Sequence, residues 1–259
     1  MAAKPKLTIA YSVLAAGLSN VRLPEARPDV EILVIVQGHG GAVPARDDVR
    51  EIRLDSLGVT RSRNAAIREA RGEVLVFGEE NVEWIPAGLD DLIALFDDNP
   101  RLAVFLGRAE DETGVLRKRY PAYREPATIW NSARVGTIEL AVRPEMLLKA
   151  KVQFDENFGA GTDNYLGDEY ILIADAAKSG LLCEFHPITV AMHPTESSGS
   201  RYRSLADARA RSIIFTRVFG PLLAIPVRAV FVARDPGRFA GLGSMIRFVL
   251  GVFPAAARP

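Results

Sequence analysis

The sequence predicts an α/β fold: a mainly parallel open sheet flanked by helices, with a C-terminal helical extension. Three observations carry the prediction. Short apolar runs bounded by Gly, Pro and polar residues recur along the chain. The strongest is Glu31 to Val36, EILVIV, set between Pro28 and the glycines at 38, 40 and 41. Continuous runs of this kind suit strands covered on both faces. Segments with helical spacing alternate with these runs, the pattern of a sheet assembled from strand–helix–strand units. Beyond Arg203 the pattern changes to longer apolar stretches studded with Arg, so two regions are expected, 1–203 and 204–259.

In chain order, Lys6 to Val13 reads as the first buried strand, Glu31 to Val36 as the second and Arg50 to Leu54 as a short third. The GHGG after the second strand is a loop and not a phosphate-binding Walker loop, because no GK[ST] follows. Thr60 is the expected N-cap of a helix whose Ala65, Ala66, Ile67 and Ala70 form a small apolar face. Arg71-Gly72 ends it. Val74 to Phe77 is a fourth strand, Pro86 opens a helix to about Phe96, and Leu102 to Leu106 is a fifth strand. The polar stretch Glu110 to Pro126 reads as a surface loop or hairpin, and Ile138 to Val142 returns to strand. A Gly-rich loop, Phe154 to Leu166, leads into a helix from Gly167 to Ser179 closed by Gly180. Two short strands follow, Leu181 to Phe185 and Ile188 to Met192, then His193 and a helix from Ser204 to Phe219.

Composition narrows the function. Of 259 residues 48% are apolar and 25% charged, a globular balance. Lys plus Arg equals Asp plus Glu at 32 each, which argues against a general nucleic-acid binder. The single Cys183 excludes an internal disulfide and a Cys-rich zinc site, and fits a reducing compartment. The start, MAAKPKLTIAYSVLAAG, has the basic-then-apolar order of a signal peptide. Its apolar part is short and lacks a clear cleavage site, so it reads better as a first core strand. No stretch is expected to reach the roughly 18–20 apolar residues of a spanning helix.

Ligands of open α/β sheets sit beyond the carboxyl ends of the strands, where Gln37 and Glu79-Glu80-Asn81 fall. An acidic strand end suits Mg²⁺ or Mn²⁺, which take oxygen ligands and are completed by substrate phosphates. Arg61 and Arg63, at a helix start, suit diphosphate oxygens. Asp168 and Glu169 open a helix behind the Gly-rich loop, where the helix dipole favours carboxylates, and either can serve as a general base. His193, in a loop after a strand, is a candidate metal ligand. Taken singly, each has a plainer reading: a solvated acidic turn, a solvated helix start, a helix N-terminal charge pair and a surface histidine.

Their order along the chain is more specific than any one of them. GVTRSRNAAIREARGEVLVFGEENV, GTIELAVR with FDENFGAGTDNYLGDEYILIADAAKSG, and AMHPTESSG together resemble the motif blocks of inverting family 2 glycosyltransferases of the GT-A fold, particularly bacterial capsule and surface-polysaccharide enzymes. The resemblance spans about Leu7 to Gly199 and does not include the region after Arg203. It implies a GT-A, Rossmann-like sheet and transfer of a hexose from a nucleotide-diphosphate sugar to a hydroxyl of a glycan or lipid-linked acceptor, with inversion. It implies that Glu169, with Asp168, supplies the base. It puts Gln37, Arg61, Arg63, Asn64, Glu79 and Glu80 on the donor, and Glu79, Asn81 and His193 on a divalent cation, Mn²⁺ or Mg²⁺. The family usually carries Asp where this chain has Glu-Glu-Asn, and often Asp where it has Gln37-Gly38. Those departures keep a second expectation open, a non-catalytic nucleotide-sugar or glycan-binding relative. A nucleotidyltransferase would show an early Gly-rich loop with Lys or Arg, and Leu14 to Asn20 lacks it. The expected location is cytoplasmic; the basic apolar tail from Pro221 to Phe253 suits either a membrane surface, which would put the chain at the inner face, or packing on the catalytic domain or in a dimer with its Arg residues facing water.

Overall fold

The computed structural model describes residues 4–193 and 204–253. The elements are β1 (Leu7–Leu14), β2 (Val30–Gln37), β3 (Val49–Leu54), α1 (Val59–Glu69), β4 (Val74–Gly78), β5 (Glu83–Trp84), α2 (Pro86–Asp98), β6 (Leu102–Glu110), β7 (Glu125–Pro126), β8 (Leu140–Val142), α3 (Pro144–Lys149), α4 (Asp168–Lys178), β9 (Leu182–Met192), α5 (Leu205–Arg234) and α6 (Leu242–Leu250). They fall into two compact units. One runs to Glu156 and resumes at Asp168; the other combines Asn157–Gly167 with the C-terminal region. A boundary at 203/204 assigns the Asn157–Gly167 loop to the first region, whereas the structure groups it with the helices.

The first unit is built on a nine-stranded sheet in the order β3-β2-β1-β4-β8-β6-β9-β5, with β7 paired to β9. From β3 to β4 every pairing is parallel, and β8 enters antiparallel between β4 and β6. Every residue of β2 is buried, which the unbroken EILVIV run requires of a strand covered on both faces. Alternate side chains divide the core in two. Ile9, Tyr11 and Val13 pack with Leu89, Leu92 and Phe96 of α2. Ala10, Leu75 and Phe77 pack with Ala65, Ala66 and Ile67 of α1 and Leu172, Ile173 and Ala176 of α4. Each large side chain so buried contributes about 1.5–3 kcal/mol. The register aligns Leu14 with Gln37 and Tyr11 with Gly78, so β1, β2 and β4 end on the same side of the sheet.

Several local expectations change. Thr60 is not the N-cap of α1. Gly58 is, at φ 120°, a value an L side chain rarely adopts, and Thr60 lies inside the first turn, wholly buried. The two strands expected around Pro187 are one strand, β9. Pro187 falls where the β6–β9 register shifts, so its missing N–H interrupts no regular ladder position. The polar stretch after β6 does turn as a hairpin, closed by a Glu110–Leu116 bridge and an Asp111 N–Val115 O bond of 2.8 Å.

The second unit is helical. Ser204 caps α5 reciprocally with Asp207, and Tyr165 donates to Asp207 Oδ1 at 2.5 Å. A Cβ on Gly167, itself at φ 89°, would collide with Ile214. The run from Leu205 to Arg234 is long and apolar enough to cross a membrane by length and composition, contrary to the expectation that no stretch is. It is nonetheless broken at Gly220, at φ 78°, before Pro221. The second half folds back on the first: Arg228 donates to Ser212 Oγ, and the Phe215 ring meets Phe231 at 5.4 Å. Each half is roughly fifteen residues, shorter than a bilayer's hydrocarbon core demands. Phe248 of α6 closes the core against Phe215, Phe231 and Phe239.

Candidate active site

Arg63 is the centre of the site. It lies on the buried face of α1, with its guanidinium 5.5 Å over the Phe154 ring. One nitrogen, Nη1, is bound to Asp168 Oδ2 and lies 3.3 Å from Glu169 Oε1; Nη2 lies 3.9 Å from Glu79 Oε1. A single cation therefore joins the end of β4 to the start of α4. The two acids of α4 follow Gly167, in the first turn, where the helix dipole favours negative charge. Glu169 also accepts a hydrogen bond from the Thr137 hydroxyl.

Three ionisable groups, two carboxyls and one guanidinium, are held here with little water. The side chains of Arg63 and Asp168 are each 6% exposed and that of Glu169 is 17%. Burial, then the adjacent Glu169 charge, push the Asp168 carboxyl up to about 7 against the pull of Arg63. Burial also penalises the charge on Glu169, but Arg63 and the Thr137 hydroxyl outweigh it and hold that carboxyl below its usual range. The proton accordingly sits on Asp168 and the charge on Glu169, and the two titrate as a pair. Glu169 is the more exposed member, which suits it to meet an incoming hydroxyl.

Arg61 and Arg63 do not act as a pair. Residues two apart on a helix point in nearly opposite directions, so Arg61 is exposed, 3.3 Å from Glu156, while Arg63 turns inward. Asn64 is inward too. Its amide bonds the Phe154 backbone in both senses, at 3.0 and 2.8 Å, and fixes the chain leading out of the sheet. Gln37 gives its amide to Ser56 O and Gly58 O at 2.7 and 3.0 Å, holding the turn before α1. The terminal guanidinium nitrogens of Arg63, both amide atoms of Asn64 and the amide nitrogen of Gln37 are thus engaged within the protein.

The exposed acids lie at the end of β4. Glu79 Oε2 is 3.7 Å from His193 Nε2. Glu80 reaches back to the turn after β1. A Cβ on Gly17 would collide with its carboxylate, and Asn20 donates to it at 3.4 Å. Asn81 is exposed. Among the described residues no group of three or more His, Cys, Asp or Glu side chains gathers. One carboxylate and one imidazole fit an ion whose remaining positions come from diphosphate oxygens. Residues Pro194 to Gly199 of the late motif lie outside the described residues. Thr137, Phe154 and Glu156 were not singled out from the sequence, although the first lies in GTIELAVR and the others in FDENFGAG.

The central sheet flanked by helices, with a C-terminal helical region, is the GT-A fold. Among solved structures it resembles TarS of S. aureus. Against TarS 1-349 in complex with UDP-GlcNAc the TM-score is 0.59 at 14% identity, covering 94% of this chain and 81% of that one. Against TarS 1-349 alone the TM-score is 0.54 at 13% identity, covering 82% and 65%. Against the longer TarS structure it is 0.55 at 14% identity, and this chain spans 43% of that length. No family model matches the chain, and no curated protein matches it.

Proposed function

We propose that this chain is a family 2-like hexosyltransferase. It moves a sugar from a nucleotide-diphosphate donor to a hydroxyl of a surface glycan or lipid-linked acceptor, with inversion, at the cytoplasmic face of a membrane. The observation that carries the reading is the Arg63 hub, which sets a proton-accepting pair beside the acidic strand end of a GT-A sheet. The complex of TarS with UDP-GlcNAc supports a nucleotide-sugar donor of this kind. In the reaction the acceptor oxygen attacks the anomeric carbon and the bond to the diphosphate oxygen breaks. The bonding pair leaves with the diphosphate, and the hydroxyl proton passes to the Asp168–Glu169 pair. Arg61 and Glu80, at the exposed rim, contact the donor. A divalent cation held by Glu79, His193 and Asn81 supplies positive charge beside the diphosphate when bound.

One observation favours a second reading, a relative that binds nucleotide-sugars without turning them over: Glu79 lies near the Arg63 guanidinium and shares the strand end with a neutral Asn81. A thermal-shift screen of nucleoside-diphosphate sugars, followed by an assay for released nucleoside diphosphate with acceptor, separates the two. Stabilisation with release supports transfer, and stabilisation without release supports the binding relative. No stabilisation by any donor defeats both.

A further inference from the structure

The helical unit carries an apolar surface that its own core does not use. Its aromatic cluster, Phe215, Phe231, Phe239 and Phe248, is turned inward. Outward, Leu222 follows the Gly220 break at 83% exposure, with Leu223 at 63%. The exposed apolar positions 222, 226, 229, 230 and 233 then repeat at helical spacing and form one stripe along the second half of α5. A second stripe runs along α6 through Leu242, Ile246 and Leu250, with Leu242 72% exposed. Isolated exposed Leu residues are ordinary; two stripes on consecutive elements mark an interaction site.

Charge selects the partner. Between Ala208 and Phe253 the one acid is Asp235, and it is bound to Arg238. Arg234 and Arg247 are exposed, each one residue from a stripe position. A second copy of the chain docked here would set Arg against Arg, with no acid in this segment left to answer it. An anionic lipid surface meets both features: its acyl boundary takes Leu and Ile while its headgroups take Arg. We infer that this unit docks in the interface of an anionic membrane, lying in it rather than crossing it, as the Gly220 break dictates. The inference deepens the membrane location in the proposed function and is separable from the sugar-transfer chemistry, so its failure leaves the donor assays unaffected.

The test is flotation of the full chain with vesicles of phosphatidylcholine and phosphatidylglycerol, against vesicles of phosphatidylcholine alone. The protein is expected to float with the mixed vesicles at low salt and to be released as salt rises. The double variant Leu222→Glu, Leu242→Glu, at positions left mostly exposed, is expected to lose at least about tenfold in partitioning with an unchanged thermal melt. The pair Arg234→Glu, Arg247→Glu probes the electrostatic part, each Arg contributing about fivefold. Native protein left in the soluble fraction at low salt overturns the inference, as does a leucine double variant that floats like the native chain. Light scattering that shows a dimer, reduced to monomer by that variant with no flotation of the native chain, assigns the surface to a second copy instead.

Discussion

Glu79 at the end of β4 and Glu169 at the start of α4 are the same side chain in two settings, bridged by one arginine. Glu79 is 47% exposed and touches its neighbours only at 3.7 and 3.9 Å. Glu169 is 17% exposed, bound by Thr137, and shares Arg63 with a second carboxylate. Water screens the first and leaves it available to a ligand. Low dielectric and one guanidinium govern the second, and make it part of a pair whose proton is poised near neutrality. The difference teaches that role follows surroundings. The loosely held acid suits binding, and the tightly held one suits proton transfer.

The largest expected effect breaks the buried side of that comparison. Glu169→Gln keeps the shape and the Thr137 contact while removing the charge proposed to accept the proton. Turnover should fall by about 10²–10⁴-fold with donor affinity retained. Steady-state rates together with donor titration decide it. Near-native turnover would move the role to Asp168, and native turnover in both single variants would remove the proposal.

The next effect falls on stability. Arg63→Met leaves two buried carboxylates without their cation, which costs about 3–5 kcal/mol. Urea melts should show the loss, and adding Asp168→Asn with Glu169→Gln should recover much of it. A single variant as stable as the native protein would show that Arg63 does not compensate the pair. Arg61→Ala, by contrast, breaks an exposed contact and should change stability by no more than about 1 kcal/mol.

The contrast between Arg61 and Arg63 also marks where sequence reading stops. The apolar runs declare their own burial, so the parallel half of the sheet is legible in EILVIV and in Val74 to Phe77. The acidic strand end and the acid pair are legible because motif order locates them. Two arginines flanking a serine read as one basic patch until the helical phase is known, and only the fold shows that Arg63 faces carboxylates more than a hundred positions further on. The structural bonds of Gln37 and Asn64 are hidden for the same reason, since an amide that fixes a backbone turn reads in sequence like one that meets a ligand. β5 and β7, at two residues each, are too short for any periodicity to appear.

Changing the pH sharpens the comparison without mutation. The native Asp168 carboxyl titrates near 7 while its unfolded value lies near 3.8. Its stabilising contribution is fully present below the unfolded value and is lost as pH rises through about 7. In the proposed reaction the pair takes up the acceptor's proton, so activity should rise through about pH 7, at the upper end of the interval over which stability falls. Glu169, shifted downward, loses its contribution only at more acid pH and does not blur this window. In Asp168→Asn the fall in stability between about pH 4 and 7 should disappear. A native melting temperature that is flat or rises across that range would contradict the assignment of the proton to Asp168.

The smallest effect is expected at the exposed end. Glu79→Ala removes one ligand from the proposed cation site, and should weaken Mn²⁺-dependent donor binding by about tenfold while leaving the protein's stability within about 0.5 kcal/mol. Asn81→Asp adds a charge beside the same strand end and should tighten Mn²⁺ binding. Both are measurable by titration calorimetry with and without chelator. The Glu79 carboxylate also lies 3.9 Å from Arg63 Nη2, so its loss removes a distant negative charge from the pair's surroundings and should lower the acid limb of the pH–rate profile slightly. The signs of these two effects separate the roles of Glu79. If chelator leaves donor binding unchanged while Glu79→Ala still weakens it, Glu79 meets the donor directly and the cation has no part in binding.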